Sequence, residues 1–213
     1  MSANRLAAVV VSAVVLMSCA YAQGQVSDSV NEVSATFGRT FVSTQTILNA
    51  NPAHNNLRFG AEETIGLNYS RLLKTRGIFG LSVEVPFAAV IDMDLNAFFN
   101  VIPENYKAFY VAPSARLNFF NAEGVSPWVS FGGGYAHYKM AGHLIFGGPN
   151  PGPTSTNTGV LQFGTGLDVF PWQRWGLRME ARDFWSGAPA LNVDTGRSRQ
   201  HNYYVGGGVI YRF

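Results

Sequence analysis

The stretch His201-Asn-Tyr-Tyr-Val-Gly-Gly-Gly-Val-Ile-Tyr-Arg-Phe213 reads with a two-residue period. One face carries Tyr203, Val205, Gly207, Val209, Tyr211 and Phe213. The other carries Tyr204, Gly206, Gly208, Ile210 and Arg212. Such alternation marks a strand, whose successive side chains point to opposite faces. Here one row is apolar with an aromatic at each end, and the other is small or polar. A strand needs that distribution when lipid lies on one side and a crowded lumen on the other. A chain that stops on such a strand is expected to form a closed transmembrane β-barrel.

The opposite end agrees. Arg5 supplies a positive start, and Leu6 to Met17 form an apolar run of 12 residues, too short for a helical span. Ala20-Tyr21-Ala22 places the small residues Ala20 and Ala22 where a signal peptidase reads, predicting a signal peptide over 1–22 and a mature domain over 23–213. Leu16-Met17-Ser18-Cys19 is a competing lipoprotein-like site. Cys19 is the only cysteine, so no disulfide can form within the mature chain. Both routes export the protein.

The mature chain holds about 190 residues, one domain's worth. Arg5 is the only charge ahead of Gln23, so 15 basic and 13 acidic residues become 14 and 13. This near-balance excludes a nucleic-acid surface, which needs a clustered basic excess. No apolar run past Met17 is long enough for a helical span. A membrane protein of this kind must satisfy its backbone through closed strand pairing.

Alternation predicts eight strands, near 31–43, 58–72, 78–91, 107–120, 127–140, 159–170, 175–186 and 201–213. The fold class is therefore all-β, an eight-stranded antiparallel up-and-down transmembrane β-barrel. Outward rows are clear in Phe79, Leu81, Val83, Val85 and Phe87, and in Phe109, Val111, Ala115, Leu117 and Phe119. The first strand is less regular, because Arg39 falls in the row of Val33, Phe37 and Phe41. A bulge near Gly38 would turn it inward. Connections alternate between short (73–77, 121–126, 171–174) and long (44–57, 92–106, 141–158, 187–200), the asymmetry of an outer-membrane barrel. Eight strands put both termini on the periplasmic side. Gly147-Gly-Pro-Asn-Pro-Gly-Pro153 resists helix and strand alike, predicting a mobile third loop. Trp128, Trp172 and Trp175 near the short turns, and Trp185, Tyr106, Tyr110, Tyr203 and Tyr204 near the long loops, read as two interfacial belts. A soluble barrel with an aromatic core is the competing reading; it explains neither the outward apolar rows nor Phe213.

The signal sequence, the penultimate strand Leu177-Arg-Met-Glu-Ala-Arg-Asp-Phe184 and the closing strand together resemble the small outer-membrane β-barrel proteins of Gram-negative bacteria, the OmpA/OmpX-like barrel domain. In such families the last strand carries an assembly signal, a glycine followed by aromatic or apolar residues at alternate positions. Gly208, Tyr211 and Phe213 match it, although Gly206 stands where a polar residue is usual. The resemblance implies recognition by the outer-membrane assembly machinery and a setting among outer-membrane lipid and lipopolysaccharide. It implies no shared activity.

By parity Glu84, Arg116, Asp168, Arg178, Glu180 and Arg182 point into the lumen, with Glu62 a further candidate. An eight-stranded barrel is just wide enough to be filled by side chains. Isolated charges there cost several kcal/mol each, so an ion-pair network centred on Arg178, Glu180 and Arg182 is expected to plug the lumen. The alternative is a narrow conduit or ligand pocket that uses the same charges. His54, His137, His143 and His201 fall in loops or near the rim, and no nucleophile, base and carboxylate come together. Gly132-Gly133-Gly134 and Gly206-Gly207-Gly208 open no helix, so neither cradles a phosphate. Asp92 and Asp94 read as solvated, or as ligands of a divalent cation. No catalytic residue, metal site or cofactor is expected. The expected function is a structural or surface-interaction barrel of the outer membrane, its loops meeting an extracellular partner. A passive channel for ions or small apolar solutes is the alternative, and a lipid A-modifying enzyme ranks last.

Overall fold

The computed structural model describes residues 31–120 and 124–213. The signal peptide, its cleavage after Ala22, the competing site at Cys19 and part of the second short turn lie outside the described residues.

The strands are β1 (Asn31–Val42), β2 (Gln45–Thr46), β3 (Asn56–Phe59), β4 (Ala61–Arg76), β5 (Phe79–Asn96), β6 (Asn105–Val111), β7 (Ser114–Phe119), β8 (Val125–Met140), β9 (Ser155–Val169), β10 (Trp175–Gly187) and β11 (Arg199–Arg212). Every pairing is antiparallel. The ring closes because β1 pairs with β4 on one side and with β11 on the other. β6 and β7 are two halves of one wall, both lying between β5 and β8, so the wall has eight members. Closure leaves no edge, as a backbone in hydrocarbon requires.

The break in that wall has a local cause. Pro113 has no N–H to give to a ladder, and Ala112-Pro113 separates β6 from β7. Gly132 and Gly134 of β8 face the break. A Cβ on Gly132 would collide with the Pro113 carbonyl oxygen, and one on Gly134 with that of Val111.

β4 and β5 run to 16 and 18 residues and outgrow their expected lengths. The end of β5 stays paired because β3 lies beside it, with Arg58 opposite Asn96 and Phe59 opposite Leu95. The second long connection is correspondingly shorter. The bulge expected near Gly38 is absent. β1 keeps unbroken register against both neighbours, and Arg39 stays outward and exposed, opposite Glu63 and Val205. Opposite charges facing across strands are favourable, and Arg39 stands near the long-loop end of β1. The third long loop is also better anchored than its Gly/Pro composition predicts. Asn150 donates from its side chain to Ala141 O at 2.9 Å and accepts from Gly152 N at 3.0 Å. Gly147 and Gly148 adopt φ of 90° and 92°, the left-handed region that glycine tolerates.

Candidate functional site in the barrel interior

The interior is divided into two layers. Toward the short turns the inward rows are polar: Glu32, Ser34 and Thr36 on β1, Ser82 and Glu84 on β5, Arg116 and Asn118 on β7, Arg178, Glu180 and Arg182 on β10. All are buried. Above Pro86, Ala112 and Arg182 the rows of β5, β6 and β10 bring in Ala88, Val90, Tyr110, Ala108 and Phe184, with the hydroxyls of Thr40 and Ser186 among them.

The polar layer holds four carboxylates and four guanidinium groups in one connected set, its two halves joined by Arg116 and Glu84 at 3.8 Å. Arg178 donates from Nε and Nη2 to the two oxygens of Asp168, each at 2.7 Å, and from Nη1 to Ser34 at 2.9 Å. Arg116 Nη2 donates to Glu32 at 2.5 Å, and Arg212 Nε donates to the other oxygen of Glu32 at 2.8 Å. Arg182 spans two acids, Glu84 at 2.8 Å and Glu180 at 3.0 Å. Neutral groups take up further lone pairs: Asn68 donates to Glu84 at 2.8 Å, and Thr36 to Glu180 at 2.9 Å. Charge balance and bidentate geometry are what make charges tolerable in a low-dielectric space. The six residues assigned inward by parity are therefore brought together, and Glu32 and Arg212 join them. Glu62 stands apart, half-buried near the long-loop end of β4.

Trp128 requires a correction. It belongs to no interfacial belt: its side chain is 1% exposed and lies inside the polar layer. Its ring centroid is 5.5 Å from the Arg116 guanidinium carbon, 5.3 Å from that of Arg178 and 4.9 Å from that of Arg182. Its Nε1 donates to Asp168 at 3.2 Å. A desolvated guanidinium over an indole face gains about 2 kcal/mol. Gly166 clears the space, since a Cβ there would run into the indole ring. The alternation of Val129 and Phe131 outward with Ser126 and Ser130 inward already placed Trp128 inside; nearness to a short turn was the wrong cue. Tyr106, Tyr110 and Tyr204 are likewise buried and not belt residues. The remaining belt assignments differ in exposure. Trp172 and Trp175 are exposed near the short turns, and Tyr203 is exposed near the long loops. Trp185 is half-buried, with Arg199 over it at 4.9 Å and His201 stacked on it.

The upper layer is an aromatic and aliphatic core threaded by buried amides, with Gln45 donating to Gln200 at 3.2 Å and Gln200 to Asn202 at 2.8 Å. Tyr110 stacks on Phe184 at 4.8 Å, and Tyr138 meets Tyr106 edge-on at 5.5 Å. Tyr138 and Ser186 hydroxyls lie 2.5 Å apart, and Asn202 donates to Phe184 O at 2.7 Å. Leu57, Leu95, Ile102 and Leu191, carried by β3, the end of β5 and the long connections, pack into the same core. Hydrogen bonds tie those segments together: Leu48 N to Asp194 O at 2.8 Å, Ile145 N to Ile102 O at 3.1 Å, and Asn192 Nδ2 to Val101 O at 3.1 Å. The long connections form a crown over the mouth.

The seam between β1 and β11 accounts for one expected assembly residue in structural terms. A Cβ on Gly208 would strike the Ala35 carbonyl oxygen and Thr36 Cα. Tyr211 and Phe213 stack at 6.1 Å on the outer face. Of the histidines, His201 contacts Asp183 at 2.6 Å and His137 contacts Asn157 at 2.6 Å, both on the outer wall. Neither has a serine, threonine or cysteine hydroxyl or thiol bonded to it among the described residues. No group of three His, Cys, Asp or Glu side chains is arranged to hold a metal among those residues.

No protein-family model matches the sequence, and no curated protein matches it. Solved structures do. The outer membrane protein OprG from Pseudomonas aeruginosa has a TM-score of 0.54 at 10% identity, over 89% of this chain and 98% of that one. The outer membrane protein AlkL, determined in lipid bilayers, has a TM-score of 0.54 at 12% identity, over 88% of this chain and 92% of that one. Neisserial surface protein A has a TM-score of 0.49 at 13% identity, over 86% and 97%. At such identities the likeness is one of fold. This chain has the fold of the small eight-stranded outer-membrane β-barrel proteins.

Proposed function

We propose that this protein is an integral barrel of the Gram-negative outer membrane, closed to solutes, that serves the envelope structurally and meets extracellular partners through its crown. Both mature termini lie on the periplasmic side, and the assembly machinery reads Gly208, Tyr211 and Phe213. One observation carries the closed lumen: a charge-balanced layer around Trp128 lies directly beneath a core of aromatic, aliphatic and mutually hydrogen-bonded amide and hydroxyl side chains, and both layers are buried. A water column needs an open passage, and in both layers the buried side chains pack on or hydrogen-bond to one another across the lumen. Apolar outward rows such as Phe37, Leu67, Leu81 and Val209 support a lipid exterior. Reconstituted into planar bilayers, the protein is expected to give no steady single-channel openings; steady openings would overturn the closed lumen.

The aromatic and aliphatic side chains of the upper layer favour one second reading, a passive path for small apolar solutes. Faster uptake of an alkane by cells that express the protein, with ion conductance still silent, would select it. No enzymatic role is proposed.

A further inference from the structure

Between the first three long connections lies a cavity of about 360 Å³, whose lining includes His54, Asn56, Arg58, Asn96, Phe98 and Phe146. Its walls are fastened to one another. Gly60 N donates to Asp94 O at 3.0 Å, joining the first connection to β5. Asn100 donates to Gly147 O at 3.0 Å and accepts from Phe146 N at 2.9 Å, joining the second connection to the third. The His54 ring stacks on Phe98 at 4.0 Å with 14° between planes. The cavity is thus built before any ligand arrives, and a preorganised site loses less entropy on binding.

Its polar side chains are placed differently from the others in the crown. Asn51, Asn100, Asn150 and Asn192 are each committed to a hydrogen bond that shapes a loop. His54, Asn56, Arg58 and Asn96 make no side-chain hydrogen bond or ion pair among the described residues, and no carboxylate lines the cavity. Phe98 and Phe146, at 60% and 65% exposure, are the two most exposed phenylalanines of the described residues. Free amides offer donors and acceptors to hydroxyl groups, an unpaired guanidinium calls for an anion, and exposed phenyl rings call for an apolar ring face. A simple phosphate has no use for the rings. A planar aromatic acid has little use for two amides. The volume lies near the small end of ligand pockets, about 300–1,000 Å³, which limits the occupant to one or two rings.

We propose that this cavity binds the carboxylated ring of an acidic sugar. Arg58 pairs with the carboxylate, Asn56 and Asn96 engage hydroxyls, and Phe98 and Phe146 pack on the C–H face. The inference rests on the crown being the outward surface of the closed barrel. Two sources carry this chemistry, the terminal sugar of a glycan on another cell and a core sugar of neighbouring lipopolysaccharide.

The test is saturation-transfer NMR on the full barrel in lipid nanodiscs, titrated separately with 3′-sialyllactose, with 3-deoxy-octulosonic acid and with neutral lactose. An acidic sugar is expected to bind and lactose not to. Response to sialyllactose assigns the glycan source; response to the octulosonate alone assigns the lipopolysaccharide source. Arg58→Gln is expected to weaken binding ~10-fold or more, the worth of one charge-assisted contact, while Arg197→Gln, an exposed charge elsewhere in the crown, leaves it unchanged. Phe98→Ala is expected to remove transfer to the ring protons. Heat-modifiable gel migration checks that each variant is folded. Absence of binding by both acidic sugars, equal binding of lactose, or an unaffected Arg58→Gln variant overturns the proposal. A silent bilayer with no sugar binding removes only this site, whereas steady conductance removes the closed lumen whatever the sugars do.

Discussion

At the scale of single residues the interior charges have unequal importance. Asp168 takes both bonds of the Arg178 fork and the Trp128 N–H. Glu180 shares Arg182 with Glu84. Asp168→Ala strands a buried guanidinium and is expected to cost about 3–5 kcal/mol. Glu180→Ala leaves Arg182 with its better partner and should cost less. Urea unfolding in lipid vesicles, followed by Trp fluorescence, checks the order; equal midpoints for the two variants would remove the network as a stabilising element. Six of the eight charged members were legible from parity alone. Glu32 was missed because the irregular look of Arg39 left the register of β1 open. Arg212 was on the inner row from the start, but a partner 180 residues away had no signature along the chain.

At the scale of the strand, outward rows face hydrocarbon and inward rows face neighbours across the lumen, so the same substitution has different costs by row and depth. Leu67 lies midway along β4, exposed on the outer face between Ala35 and Phe87. Leu67→Arg is expected to cost about 2–4 kcal/mol, and Val33→Arg, near the end of β1, about 0–1 kcal/mol. Comparable unfolding free energies for the two would argue that water, not lipid, bathes the wall. Strand number, alternation and the short-long rhythm of connections were all readable, because each depends on residues within one strand or turn. Strand ends were less so. β5 outlasts its own alternation because β3 pairs beside it, and the wall containing β6 and β7 breaks where Pro113 removes a donor.

At the scale of the whole molecule, the barrel is held by the polar layer below and by the crown packed into its mouth above. Leu57 is fully buried at their junction with the first connection. Leu57→Ala is expected to cost about 2–5 kcal/mol and to open the crown first, since local openings begin where fewest strands cross. Trypsin should then cut faster at Arg58, Arg197 and Arg199 while the strands below stay resistant. Cleavage at an unchanged rate would show that the crown is not anchored through this residue.

What the amino-acid sequence determined by itself is the side of the wall to which each residue belongs, since a period of two and the contrast between apolar and polar rows are written within each strand. That was enough for the closed barrel, the six inward charges and, read consistently, for Trp128. Which carboxylate answers which arginine was decided only by tertiary structure. Those pairs join β1 to β11, β7 to β1 and β10 to β5, and their geometry depends on the register of closure and on the width of the lumen. The cavity at the crown has the same origin: Arg58 lies on β3 and Phe98 and Phe146 on the second and third long connections, and only the folded rim brings them together.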